Sequence, residues 1–186
     1  MTFMKWFFVA IAVLTLSITS CENDNKTELL SQIDQMENTL DSLETIVKDT
    51  AGYSSAEMIA SVRATILKVK TNYVADTIDY DLAEQMNSYK DIRKGISKNS
   101  GNLAKAKQTI PEVQQKLSDL RHDIENGVND RDKYQEFINF EQSKVHEIEE
   151  VLRYYVETNE KYHNTYDELH PIIKQLGDSL VNAKNE

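Results

Sequence analysis

Apolar side chains recur along most of this chain at alternating intervals of three and four residues, and this spacing restricts its fold more than any other feature. The clearest stretch holds six such positions: Leu29, Ile33, Met36, Leu40, Leu43 and Val47. The spacing places all six on one face of an α-helix, as in a coiled coil. Only five glycines and two prolines interrupt the 186 residues. The sequence therefore predicts an all-α fold.

Breaks in the pattern divide the first half of the chain. Asn25 with Glu28 predicts a capped start for the first helix, and Gly52 predicts its end. A second helix is predicted from near Ser54, with Ile59, Val62, Ile66, Val69 and Tyr73 on its apolar face. The phase shifts at residues 75–79, which predicts a break at Asp76 and a third helix that ends near Gly95. We expect residues 95–108 to form a loop.

The second half of the chain predicts two more helices. Thr109 with Glu112 predicts a capped start with Pro111 in the first turn, and Asn126-Gly127 predicts the end. The last helix is predicted to start at Asp130 or Asp132, to pass through Pro171 with a bend, and to extend about 75 Å. The predicted domain, residues 26–186, is an elongated antiparallel helical bundle with coiled-coil character and a long C-terminal helix.

The first twenty residues have the pattern of a secretory signal. Lys5 precedes an apolar run, residues 6–16, that is shorter than the roughly 20 residues of a membrane-spanning helix. The following residues, Ile18-Thr-Ser-Cys21, resemble the lipobox of bacterial lipoproteins, in which the cysteine is acylated and becomes the new N-terminus. Residues 1–20 are therefore predicted to be a signal peptide, Cys21 the lipid attachment site, and residues 21–25 a short tether.

The acidic residues that follow Cys21 suggest a location. Glu22 and Asp24 resemble the surface-export signal of Bacteroidetes lipoproteins, whereas the inner-membrane retention signal of enteric bacteria has an aspartate directly after the cysteine. The whole chain resembles the small coiled-coil lipoproteins of bacterial envelopes, including cell-wall-binding lipoproteins, with the specific likeness confined to residues 1 to about 25. This resemblance implies a palmitate-type lipid anchor in the outer membrane, and leaves the leaflet open.

Net charge excludes one class of partner. Removal of Lys5 with the signal leaves 20 basic and 31 acidic side chains, a net charge of −11. Nucleic acid binding depends on neutralising phosphates, so this composition argues against it. A local exception is a cluster that carries +5, in which Asp91 is the only acidic residue. We call it the basic cluster: Lys90, Arg93, Lys94, Lys98, Lys105 and Lys107.

Two explanations of the basic cluster remain open. It is either a docking patch for an anionic partner, such as lipopolysaccharide, a teichoic-type polymer or an acidic protein, or a set of cations that offsets a helix dipole. Because residues 90–107 are predicted to join two helices, we expect the cluster at one end of the bundle or in an exposed connection.

The sequence predicts no catalytic residue, metal site or cofactor. Glu160 and His163 form one Glu-x-x-His pair, where di-iron bundles use two, and both are expected to face outward. Residues 130–137 lack the glycine that an EF-hand loop needs at its sixth position, so we interpret them as a helix cap. The tyrosines near the end are either core residues or a strip for stacking glycans: Tyr154, Tyr155, Tyr162 and Tyr166.

These observations predict a non-enzymatic interaction or structural lipoprotein of the envelope, whose partner is the membrane and an envelope polymer or protein. The alternative is a periplasmic bundle that binds a ligand or a metal, which would need a pocket of at least about 300 Å³. An enzyme of cell-wall metabolism is a third class, for which the sequence offers no residues.

Overall fold

The computed structural model describes the backbone of residues 2–50, 55–77 and 79–185, and the side chains of residues 25–50, 55–77 and 79–184. Four α-helices and no strand occupy the described residues: α1 (Thr2–Asp49), α2 (Ser55–Asn72), α3 (Tyr80–Asn126) and α4 (Tyr134–Asn185). A short 3₁₀ turn, Arg131–Lys133, precedes α4. The fold is therefore an all-α bundle with a long C-terminal helix of 52 residues, as the apolar spacing predicted.

The chain divides into two compact units. Unit 1 comprises Met1–Glu44 and Thr109–Ile148, and unit 2 comprises Thr45–Gln108 and Glu149–Glu186. Each unit thus contains a segment of α3 and a segment of α4. Unit 1 also contains most of α1, and unit 2 contains α2 and the last residues of α1.

Unit 1 has an aliphatic core. The predicted apolar face of α1 is buried as expected, with Ile33 and Leu40 fully enclosed. The helices α1 and α3 run antiparallel, because Lys26 donates to the carbonyl of Glu125 at 2.6 Å while Gln114, earlier in α3, donates to Asp41 at 3.4 Å. The buried partners on α3 repeat the same three-four spacing, and those on α4 follow it with one position omitted: Ile110, Val113, Leu117, Leu120, Ile124, Tyr134, Ile138, Val145 and Ile148.

Unit 2 packs α2 and α4 parallel to each other. Ser61 of α2 lies beside His170 of α4, and Lys68, two turns further on, pairs with Asp178 at 2.5 Å. The buried face of α2 is Met58, Val62, Thr65 and Val69, whereas the predicted positions Ile59 and Ile66 pack at the edge of the same cluster and Tyr73 is exposed. The buried face of α2 differs from the predicted one because α2 packs against both α3 and α4.

The predicted loop at residues 95–108 is wrong, because α3 is continuous from Tyr80 to Asn126. Ile96, Asn99, Ala106 and Ile110 are buried on one face of α3, and a seven-residue repeat carries this face through the segment. Pro111 therefore lies inside α3 rather than in a first turn. It is exposed, and it withholds the hydrogen bond that would reach the carbonyl of residue 107.

The other predicted breaks have mixed outcomes. The break around Asp76 is confirmed, since α2 ends at Asn72 and Asp79 caps α3 by accepting a hydrogen bond from Leu82 N–H at 3.0 Å. Gly127 ends α3 with a φ of +60, which favours glycine. The start at Asn25 is wrong, because α1 begins at Thr2. No glycine or proline precedes Gly52 to interrupt that helix, and Gly52, Ser54 and Ile78 lie outside the described residues.

Pro171 does not end α4, in agreement with the sequence pattern. The predicted cap at residues 130–137 is only partly right, because α4 begins at Tyr134. Asp130 makes no side-chain capping bond and instead pairs with Lys133 at 3.2 Å. The Tyr134 hydroxyl stabilises this turn by donating a hydrogen bond of 2.8 Å to the carbonyl of Asp123.

Candidate functional site

The six cations of the basic cluster all lie within α3 of unit 2, so they do not form an exposed connection between helices, which was one of the two locations expected from the sequence. Four of them share one face of the helix, because Lys90, Lys94 and Lys98 are each four residues apart and Lys105 follows seven residues later. Arg93 flanks this face. We call the four lysines the lysine face; it extends about 22 Å at 1.5 Å per residue.

The lysine face is largely exposed to solvent, with Lys90 half-buried. Lys94 is 73% exposed, and its ion pair with Asp91 measures 4.0 Å, the outer limit of such a contact. Lys90 donates to Asn87 at 3.5 Å. Lys98, Lys105 and Lys107 are also exposed. Exposed pairs of this kind contribute little to stability, so a helical fold by itself does not account for the cluster.

A surface groove of about 320 Å³ opens beside the lysine face. The helix α3 supplies one wall and α4 the other. The lining residues are Asp91, Lys94, Gly95, Lys98, Asn99, Tyr154, Thr158 and Tyr162. The basic cluster and the tyrosine strip, which the sequence showed only as separate features, thus meet at one site.

Gly95 allows Tyr162, one of the residues that line this groove, to pack against α3. A Cβ atom at Gly95 would lie 1.8 Å from the ring of Tyr162, so only glycine allows that ring to pack against α3. Gly95 was predicted to end a helix, whereas it lies inside α3 and gives space to an aromatic side chain. The Lys161 ammonium lies 5.8 Å from the centre of the same ring, within reach of a cation–π interaction.

Asn99 fixes the base of the groove. Its side chain is buried, its Nδ2 donates to the carbonyl of Tyr155 at 2.8 Å, and its Oδ1 accepts from Asn102 at 3.1 Å. Tyr155 is buried, whereas Tyr154 is 53% exposed and presents its ring at the rim. The groove therefore combines two cations, one carboxylate, hydrogen-bonding side chains and aromatic rings, a set suited to binding.

A second polar cluster connects the three helices of unit 2. Tyr89 Oη and His170 Nδ1 share a hydrogen bond of 2.5 Å, Ser61 Oγ lies 3.4 Å from His170 Nε2, and Tyr166 donates to Ser61 at 3.2 Å. The rings of Tyr166 and His170 stack at 4.4 Å. The sequence analysis gave these residues no such role, and only the pairing of α2, α3 and α4 brings them together.

Burial keeps Tyr89 and His170 uncharged near neutral pH. Desolvation raises the pKa of Tyr89 to about 12, against the smaller opposing effect of a hydrogen bond from Thr65. Desolvation, followed by the charge of Lys174, lowers the pKa of His170. Ser61 lies inside α2, where backbone N–H groups donate to carbonyls of the same helix, so they are not available to stabilise an oxyanion. The arrangement favours a structural network over catalysis.

A larger groove of about 570 Å³ lies where α2 connects to α3. Its walls include Tyr73, Val74, Leu82 and Met86, with Lys90 at the margin. Both grooves reach the volume of about 300 Å³ that a ligand-binding bundle requires. Ligand binding in unit 2 is therefore compatible with the observed surface.

The potential metal ligands do not assemble. Within the side chains that the structure describes, no group of three or more His, Cys, Asp or Glu residues is placed to hold a metal ion. Glu160 is exposed as expected, but His163 is half-buried rather than facing outward.

The N-terminal predictions fall largely beyond the described side chains. The side chain of Cys21 lies outside them, as do those of residues 1–20. Among the residues described, no helix is long and apolar enough to cross a membrane.

Comparison with family models, curated proteins and solved structures finds no significant match to this chain.

Proposed function

We propose that this chain is a bacterial envelope lipoprotein, held in the outer membrane by acyl chains on Cys21, whose helical domain docks an anionic envelope polymer without catalysing a reaction. The signal-like composition of residues 1–20 and the small residues before the only cysteine support the anchor. Two or more acyl chains give stable membrane attachment.

One observation carries the docking role. Lys90, Lys94, Lys98 and Lys105 lie on one face of a single helix, where Lys90 is half-buried and the other three are exposed, on a chain whose net charge is negative. The alternative explanation, compensation of a helix dipole at a C-terminus, requires the helix to end near Gly95. Because α3 continues to Asn126, these lysines lie far from its C-terminus, and attraction of an external anion explains them better.

An ion-dependent contact should respond to charge reversal and to salt. We expect the soluble domain to co-sediment with purified envelopes at low salt and to be released at high salt, since the Debye length falls to about 3 Å at 1 M. Lys94→Glu combined with Lys98→Glu should abolish co-sedimentation while the circular dichroism spectrum stays helical. The control with the same charge change is Lys116→Glu with Lys144→Glu, in unit 1, which should bind like the wild type.

Protease treatment of the envelopes distinguishes a polymer partner from an acidic protein partner. Binding that survives proteolysis supports a polymer, and binding that disappears identifies a protein partner instead. Equal sedimentation of the Lys94/Lys98 variant and the wild type, or binding indifferent to salt, would contradict the docking role.

The anchor is tested independently by labelling cells with a clickable fatty acid. The wild type should be labelled, and Cys21→Ala should be neither labelled nor cleaved at the signal. Equal labelling of the two chains would refute the lipoprotein assignment.

A binding bundle for a small ligand remains the second candidate, because two grooves of about 320 and 570 Å³ are open on unit 2. A metal form of this candidate would require a rise in melting temperature on addition of zinc or iron that His163→Ala removes.

A further inference from the structure

We infer that the groove beside the lysine face recognises an acidic sugar residue, so that the docking partner is an acidic polysaccharide. This inference rests on the proposed function and names the chemical class of its ligand.

The charges of the groove suit one isolated anionic group. Lys94 and Lys98 are one helical turn apart on the same wall, with their Cβ atoms about 6 Å from each other. Both ammonium groups can therefore reach a single carboxylate or phosphate. Asp91 lines the same groove and repels a ligand that carries further charges close by. A chain whose charges lie close together, such as an acidic peptide or a polyphosphate, is disfavoured relative to a polymer whose charges are separated by a sugar ring.

The uncharged part of the groove suits hydroxyl groups. The Asp91 carboxylate accepts hydrogen bonds, and the Thr158 hydroxyl both donates and accepts. Asn99 is buried and its amide is engaged by Tyr155 and Asn102, so it orders the base of the groove before any ligand arrives. The carboxylate of Asp91 and the hydroxyl of Thr158 are then the groups that favour a ligand rich in hydroxyls over an apolar anion.

The aromatic residues supply a surface for a sugar ring. Tyr154 is 53% exposed at the rim, and Tyr162 packs against Gly95 with the Lys161 ammonium 5.8 Å from the centre of its ring. The face of an aromatic ring is electron-rich, and it attracts the weakly positive C–H groups on one side of a sugar. The volume of about 320 Å³ lies at the lower end of small-ligand sites, which suits one or two sugar rings of a longer polymer.

The experiment is calorimetric titration of the full chain, in a nonionic detergent, with three probes. They are an oligogalacturonate, poly-L-glutamate with the same number of carboxylates, and a neutral maltooligosaccharide. The oligogalacturonate should bind at least about tenfold tighter than poly-L-glutamate, which corresponds to about 1.4 kcal/mol. The neutral sugar should bind more weakly still, because it lacks the group that Lys94 and Lys98 hold.

Variants separate the sugar contact from simple charge attraction. Tyr154→Ala should weaken oligogalacturonate binding about tenfold and leave poly-L-glutamate binding unchanged, while Tyr154→Phe should keep the wild-type affinity. Tyr80→Ala is the matched control, because Tyr80 is 77% exposed on the same helix as the lysines but outside the groove. Lys94→Gln with Lys98→Gln should weaken binding of both anionic probes.

The outcomes distinguish the two proposals. Equal affinity for the two anionic probes, or no effect of Tyr154→Ala, would overturn the sugar inference and leave charge-based docking intact. Absence of binding to either anion, or no effect of the lysine variant, would overturn both. A tyrosine-dependent preference for the oligogalacturonate supports both.

Discussion

Unit 1 and unit 2 are built on the same three-four spacing, but they differ in what they bury. The core of unit 1 is aliphatic apart from Met36 and Tyr134. The three buried polar residues found among the described side chains, Thr65, Asn99 and Asn159, all lie in unit 2. The polar contacts between helices of unit 1 are instead on its surface, as in the pairing of Arg121 with Asp34 at 2.5 Å.

This difference in what the two cores bury suggests different roles for the two units, one in stabilising the fold and one in recognising a partner. A polar group inside a core destabilises the fold unless it is hydrogen-bonded, and Asn159 Nδ2 has no hydrogen-bond partner among the described residues. Departures from a uniform apolar core tend to occur where a protein functions, and unit 2 also holds the groove and the tyrosine-histidine cluster. Unit 1 is therefore expected to contribute stability, and unit 2 recognition.

The largest effect is expected from truncating the cores. Leu40 in unit 1 and Leu152 in unit 2 are 0% and 1% exposed, and each change to alanine should lower the free energy of unfolding by about 2–5 kcal/mol. Leu67→Ala is the control, because Leu67 is 67% exposed and should change stability by no more than about 0.5 kcal/mol. Urea denaturation followed by circular dichroism measures all three. A loss at Leu40 as small as that at Leu67 would contradict the assignment of an aliphatic core to unit 1.

The next largest effect is expected at two glycines of α3, where a change to alanine should alter stability in opposite directions. Gly101→Ala should stabilise the protein by up to about 1 kcal/mol, because nothing lies within 4 Å of the added Cβ and alanine favours helix. Gly95→Ala should destabilise it by about 1–3 kcal/mol, because the Cβ overlaps the Tyr162 ring. Thermal unfolding compares the two variants. Stabilisation by Gly95→Ala equal to that by Gly101→Ala would mean that Tyr162 does not need the space.

A smaller effect is expected at alkaline pH. The folded-state pKa of Tyr89 is raised to about 12 from 10.0, so the unfolded chain loses this proton first as pH rises. The contribution of Tyr89 to stability is therefore present below about pH 10 and is lost between about pH 10 and 12. The measurement is the melting temperature of the wild type minus that of Tyr89→Phe from pH 8 to 12, a difference in which the other tyrosines largely cancel. A pH-independent difference would argue against burial of this phenol.

The smallest effect is expected on the surface of unit 1. Arg121 pairs with Asp34 at 2.5 Å and with Glu37 at 2.7 Å, and all three side chains are partly exposed. Arg121→Ala should cost about 0.5–1 kcal/mol at low salt and less in 1 M NaCl. A loss equal to that of Leu40→Ala would show that unit 1 also depends on its polar contacts.

The helices could be predicted wherever the spacing of apolar residues alone determines which face is buried and where a helix ends. The apolar face of α1, the end of α3 at Gly127 and the passage of α4 through Pro171 follow from residues close in sequence. Residues 95–108 were misassigned because Gly95, Asn99 and Gly101 weaken the apolar pattern. The seven-residue repeat does continue through Ile96, Asn99, Leu103, Ala106 and Ile110, and it would have been found if polar and small residues had been allowed on the buried face.

The groove could be predicted only in part. The cations and tyrosines that line it were visible as clusters in the sequence. Their meeting depends on the register between α3 and α4, which sets Asn99 against Tyr155, 56 residues away, and Gly95 against Tyr162. Neither contact leaves a local pattern, because the two members of each pair lie on different helices and far apart in sequence. The network of Ser61, Tyr89 and His170 was missed for the same reason.

The continuity of α3 has a consequence for the thermodynamics of docking. If residues 90–107 formed a loop, a partner would have to immobilise that segment, at about 1–2 kcal/mol of lost backbone conformational entropy for each residue it fixed. In the observed helix those backbone angles are already set by folding, and only the lysine side chains lose freedom on contact. A modest number of weak ionic contacts can then yield measurable affinity, and the buried residues that hold this segment of α3 in its helical conformation contribute to binding without touching the ligand.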